Sequence, residues 1–254
     1  MPSQKRSLIP QKLVAEIRAW CAAHADPVNA TSYARYFTEG YDPWGFLDPK
    51  HAFWTEMEPH WFQSNAQLGL AGFLDLGREL CRSGKYEEAS LAIRFLKHFA
   101  ESFVSRSLPA LALWFDGGIC NWGHTDVLCG LVIEPALLAG HISRNDLASW
   151  LTSPHKFQRR AVPVALLKST DPTIELLNFV EPLMHDPERF VQQGLGWFLR
   201  EQWKRQPEPV EAFLLKHKDT APRVIFQYAT EKMTAVQKAR FRRTPTKAPK
   251  SGKL

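Results

Sequence analysis

Apolar residues recur every three to four positions along most of this chain, the spacing of helices with one buried face. The segment 13–25 puts Ile17, Trp20, Cys21 and His24 on one side. The same period runs through 67–80, 89–103, 108–119 and 126–142, then through 157–169, 173–185, 188–203, 209–218 and 221–233. Clean alternation over strand length is absent, so the pattern predicts no substantial sheet. Asp-Pro or Ser-Pro pairs at 26, 42, 48, 153, 171 and 186 punctuate the series. Asp or Ser there can cap a helix, and Pro suits its first turn. Helices of about 10–15 residues joined by tight turns are the unit of an α-solenoid. The spacing therefore predicts an all-α fold: a degenerate, HEAT-like repeat of antiparallel helix pairs over residues 1–239. Pro135 and Pro163 fall inside predicted helices, where a proline costs about 3 kcal/mol unless a kink is built in. We assign both to curvature. The segment 37–50, FTEGYDPWGFLDPK, is the main irregular loop, and its aromatics predict packing on the body.

Composition narrows the class. Hydrophobic residues make up 44% of 254 and charged residues 23%, which excludes a disordered or low-complexity chain. No apolar run approaches the ~18–20 residues of a membrane span. The basic opening lacks the apolar core of an export signal. Cysteines 21, 81, 120 and 129 form no CxxC pair. The expectation is a cytoplasmic protein with reduced thiols.

The net charge of +6 says less about partners than it first suggests. Arg240, Arg242, Arg243, Lys247, Lys250 and Lys253 lie in the last fifteen residues, which hold no acid, and they account for all of it. With its prolines and few apolar residues, 240–254 reads as a disordered basic tail. Such a tail attracts phosphates without specificity, or simply solubilises.

Enzyme signatures are sparse: no phosphate-cradling glycine loop, no HExxH and no GxSxG. The nearest metal-like grouping, Cys120, His124 and Cys129, lacks a fourth ligand, so no metal or cofactor is expected. Three stretches carry more. In Cys120–Asp126, a helix would set Trp122 and Asp126 one turn apart, a carboxylate beside an indole, suited to a cation. The plainer alternative is a core Trp122 and an Asp126 that caps the next helix. In 155–169, Lys156, Arg159, Arg160 and Lys168 occur without an acid, with Arg160 and Lys168 at i and i+8. They suit successive phosphates, or form a solvated face. In 190–201, Gln193, Trp197 and Arg200 share one face while Leu195, Phe198 and Leu199 fill the core. Gly194 and Gly196 cost about 1 kcal/mol each in a helix, which implies a close approach, either of a ligand or of another helix.

The order NWGHTD, FQRRAVPVALLK and FVQQGLGWFLRE resembles the DNA alkylation repair enzymes of the AlkD type, most closely over 119–232. The resemblance implies a monomeric HEAT-like repeat protein with a concave DNA-binding face. It implies release of alkylated purines from double-stranded DNA in base excision repair, with the nucleoid as the site of action. Position by position, Trp122 and Asp126 match the family's catalytic aromatic–carboxylate pair, and Arg160 its catalytic-site arginine. Trp197 matches the second tryptophan flanking the lesion, and Lys168 and Arg200 match backbone contacts. Arg159, Lys156 and Gln193 complete the DNA-binding set expected here. Gly123-His124 and Arg189 depart from the family pattern.

The implied activity is a metal-independent DNA glycosylase, a hydrolase of cationic N3- or N7-alkylated purines. Such a base leaves without an enzymic acid, and the barrier is an oxocarbenium-like sugar. Asp126 would stabilise that cation and orient water, between Trp122 and Trp197. The lesion would rest against an open surface without a deep base-flipping pocket. Two other readings stay open: a non-catalytic HEAT-like protein that binds branched or distorted DNA, and a protein-interaction scaffold.

Overall fold

The computed structural model describes residues 3–244 apart from 33 and 38. Among these residues it contains fourteen α-helices, linked by 3-10 and π-helical turns, and no strand. The chain has an all-α helical repeat fold. Among the described residues, no helix is long and apolar enough to cross a membrane.

The helices group into two compact units, Met1–Thr170 and Asp171–Leu254, where the sequence predicts one domain over 1–239. The division falls at the Asp171-Pro172 signal, and each unit buries its own apolar residues.

In the first unit, Ile17 and Cys21 of the helix Ser3–His24 are buried with Leu13, Trp20 is half-buried, and His24, expected on the same face, is exposed because the helix ends there. Trp20 stacks on His24 and packs against Phe46, Phe53 and Trp61. The loop 37–50 does pack on the body, through a specific clamp. The buried Glu87 carboxylate accepts the backbone N–H groups of Trp44, Gly45 and Phe46 at 2.7–2.9 Å. Three donors on one carboxylate remove the cost of burying both the charge and the loop's amides.

Two prolines sit just beyond π-helical turns. Phe53–Met57 precedes Glu58-Pro59, and Cys129–Ile133 precedes Glu134-Pro135. The wider turn relieves the clash a proline makes with the carbonyl four residues back. Pro135 is thus absorbed by a π turn within 122–138. Pro163 lies inside the helix Lys156–Ala165, which ends two residues later.

In the second unit, the helix Arg189–Arg205 packs on Pro207–His217 and on Arg223–Ala229. Residues 240–244 also belong to this unit, contrary to the tail expected from 240. Phe241 is buried, Arg240 pairs with Glu211, Arg243 donates to the Ala221 carbonyl and Thr244 bonds Asp219. One buried aromatic and these polar contacts offset the disordering effect of the basic composition. The expected tail from 245 onward lies outside the described residues.

Candidate functional site

The helix Trp122–Leu128 begins where it does because Asn121 caps it. The Asn121 Oδ1 accepts the His124 N–H at 2.8 Å, satisfying an otherwise orphaned donor. Trp122 is therefore the first helical residue, and Asp126 lies one turn on, in mid-helix. The plainer alternative does not hold: Trp122 is half-buried rather than core, and Asp126 lies inside its own helix, where it receives Arg160 instead of capping the next one.

Asp126 faces the neighbouring helix Lys156–Ala165. Arg160 donates to it twice, Nε to Oδ1 and Nη2 to Oδ2, each at 2.8 Å. The side chains are 6% and 17% exposed, so the pair is nearly dry while Asp126 keeps a solvent edge. This fork geometry fixes the carboxylate's plane as a single point charge does not. A carboxylate offers about four lone-pair sites. Arg160 takes two, and the rest remain for water or a substrate cation.

Arg160 is thus committed to Asp126 rather than to a phosphate. Lys168 departs from its expected place too. The helix stops at Ala165, so Lys168 lies beyond it in the following turn. It still keeps the register of the helix pair: its Nζ donates to Glu134 at 2.8 Å, thirty-four residues apart, the separation of Arg160 and Asp126. The Glu134 contact raises the Lys168 pKa, and the ammonium stays mostly exposed. Lys156 pairs with Glu39. Arg159 donates to the carbonyls of Ser153 and Pro154, at the end of the 3-10 turn Arg144–Thr152.

An aromatic rack supports Trp122, and sequence reasoning did not single it out. Phe37 stacks on Trp122 with centroids 5.5 Å apart and on Tyr41 at 4.9 Å, and Tyr86 meets both loop rings edge-on. The Trp122 Nε1 donates to the Tyr36 carbonyl at 3.3 Å. Asn121 anchors this loop as well, since its Nδ2 donates to the Gly40 carbonyl at 2.8 Å. Gly40 has φ +66°, and a Cβ there would lie 2.4 Å from the Cys120 carbonyl oxygen. Only glycine allows this approach.

His124 completes the anchor. Its Nδ1 accepts from Asn121 Nδ2 at 2.8 Å, so Nε2 carries the hydrogen and donates to the Tyr86 carbonyl at 3.0 Å. Burial lowers its pKa to about 4 and keeps the ring neutral. Cys129, also of the metal-like grouping, points its thiol at the Ala161 carbonyl.

Beside Trp122 lies a cavity of ≈ 640 Å³, lined in part by Tyr36, Phe37, Tyr41, Trp54, Tyr86 and Val127.

The second unit holds the remaining expected residues. On Arg189–Arg205, Gln193, Trp197 and Arg200 are half-buried on one face, and Leu195, Phe198 and Leu199 are buried. Gln193 donates to the Tyr228 hydroxyl at 3.0 Å, and Arg200 pairs with Glu201 and Glu231. Gly196 answers to helix packing: a Cβ there would sit 2.6 Å from Tyr228 Cβ and 2.7 Å from the Ile225 carbonyl oxygen.

These features define a class, an all-α repeat protein with an arginine-held carboxylate on one helix face, one turn from a braced tryptophan. The family model for the DNA alkylation repair enzyme matches residues 17–233, and the chain belongs to that family. Membership gives it a role in DNA alkylation repair, with DNA as its partner. No curated protein matches the chain.

Proposed function

We propose that the chain is a DNA glycosylase that hydrolyses the N-glycosylic bond of cationic N3- or N7-alkylated purines in duplex DNA. The observation that carries this reading is Asp126, oriented by Arg160, one turn from Trp122 and still reachable by water. The base leaves as a neutral purine, because the alkyl group already supplies the positive charge. Bond breaking builds cationic character on the sugar, and the free lone pairs of Asp126 stabilise it and orient the attacking water. Trp122 offers its π face to the same cation and keeps bulk water away. Arg160 is a positioning residue here, acting through Asp126. No proton has to be delivered to the leaving base, and neither a metal nor a lyase step is called for.

Phosphate contacts come from Lys168, Lys156 and Arg159 in the first unit. In the second, Trp197 offers an aromatic face, with Gln193 and Arg200 as donors. Lys156–Glu39 is an exposed ion pair, worth about 0–1 kcal/mol, so a DNA phosphate can displace Glu39, and the mostly exposed Lys168 ammonium can reach a phosphate while it keeps Glu134. Binding then weakens steeply with salt. The test is release of free base from a duplex bearing 7-methylguanine by the wild type and by Asp126→Asn, in EDTA.

A further inference from the structure

Gly130 is a glycine that the packing of the protein does not require. It lies within the helical stretch 122–138, in the π turn Cys129–Ile133, where glycine is less stable than alanine. Its φ is not positive, and among the described residues a Cβ on it would meet nothing within 4 Å. Gly196 shows the contrast, since its Cβ would run into Tyr228 and the Ile225 carbonyl. At Gly130 the helix backbone is instead exposed to solvent. A helical glycine with neither a strained φ nor a crowding neighbour suits a place where a ligand approaches the backbone closely.

The surroundings of Gly130 identify that ligand. Asp126 lies four residues before it and Glu134 four after, and each is held from across the same helix contact, by Arg160 and by Lys168. The Lys168 side chain is 74% exposed, which leaves its ammonium open to a phosphate. The eight residues from Asp126 to Glu134 span roughly 12 Å at helical rise, with Gly130 midway. Exposed Val127 and half-buried Leu131 flank it with apolar surface suited to the carbons of a deoxyribose. A strand with one sugar at Asp126 and a phosphate at Lys168 therefore crosses Gly130. We propose that Gly130 is a substrate-positioning residue, on which the sugar–phosphate backbone of the lesion strand lies directly against the helix. The missing side chain sets how closely the sugar reaches Asp126. The inference rests on the glycosylase reading and adds to it the path of the strand over an open face.

The experiment compares Gly130→Ala and Gly130→Leu with wild type by melting temperature, by DNA affinity against salt, and by single-turnover release of 7-methylguanine from a duplex. Melting temperature is expected to rise in Gly130→Ala, because alanine favours the helix and its methyl meets open space. Release at saturating enzyme is expected to fall at least tenfold in Gly130→Leu and by less in Gly130→Ala, since a small misplacement of the reacting sugar is costly. Gly130→Leu lifts the strand off Lys168, so its salt slope should drop by about one, as in Lys168→Gln. A protein that is more stable yet releases base more slowly is the result expected. Release and salt slope unchanged in Gly130→Leu overturn the proposal. So does a lower melting temperature in Gly130→Ala, because the glycine would then serve the fold. A wild type that binds DNA and releases no base refutes the glycosylase reading, and the salt slope of Gly130→Leu then still decides the strand path.

Discussion

Arg160 grips Asp126 with two parallel hydrogen bonds of 2.8 Å across a nearly dry helix–helix contact. Removing one partner of a buried pair is costly because the other charge is stranded. Arg160→Gln is therefore expected to destabilise the first unit by about 3–5 kcal/mol, read as a fall in urea midpoint. Arg160→Lys keeps the charge but loses the fork, so it should retain more stability while base release still falls. Equal release rates for Arg160→Lys and wild type would show that the orientation of Asp126 is not what Arg160 supplies.

Phe37 bears on Trp122 through a stack worth about 0.5–1.5 kcal/mol beyond its buried area. Phe37→Leu is expected to slow base release up to about tenfold, with DNA affinity retained, since each 1.4 kcal/mol is one decade in rate. The check is a single-turnover excision time course alongside a DNA-binding isotherm. A loss confined to affinity would contradict a role in bracing Trp122.

Gly196 lets the helices Arg189–Arg205 and Arg223–Ala229 touch. Gly196→Ala places a methyl where the Ile225 carbonyl and Tyr228 already are, so the second unit must shift. The expected cost is about 1–3 kcal/mol despite the better helix propensity of alanine. A raised melting temperature would overturn this account.

The burial of His124 makes the first unit sensitive to acid. Its folded-state pKa is about 4, against 6.5 for the free side chain. Between those values the unfolded chain holds a proton that the folded chain refuses, so stability falls as pH drops from about 6.5 to about 4 and then levels. Above 6.5 the contribution is fully present. The gap corresponds to about 3 kcal/mol. His98, also lowered mainly by burial, adds to the loss with the same sign, and His217 does the same in the second unit. Urea midpoints against pH should show a shallower acid slope in His124→Asn than in wild type, and parallel slopes would contradict the assignment.

Much of this was legible in the sequence because helix periodicity is a local signal. The face carrying Gln193, Trp197 and Arg200 and the core positions Leu195, Phe198 and Leu199 follow directly from spacing. The pairing of Trp122 and Asp126 on one helix follows likewise. What spacing cannot supply is the partner across a helix contact. Arg160 and Lys168 read as free cations because Asp126 and Glu134, thirty-four residues away, are not neighbours until the chain folds. The rack of Phe37, Tyr41 and Tyr86 was hidden for the same reason, although the density of aromatics in 36–46 was its visible trace. Pro135 announced a distortion, and the structure resolves it as a π turn rather than a simple kink. The start expected for the tail misplaced Phe241, an isolated apolar residue whose burial no periodic pattern reveals.

The central claim is that Asp126 takes part in breaking the glycosylic bond. The most direct measurement is single-turnover release of 7-methylguanine from a duplex in EDTA, with wild type and Asp126→Asn compared and folding checked by melting. The account predicts release by the wild type, a drop of at least a hundredfold in the variant, and DNA affinity within a few-fold. Release at the wild-type rate by Asp126→Asn would contradict it, and so would DNA binding by the wild type with no free base produced.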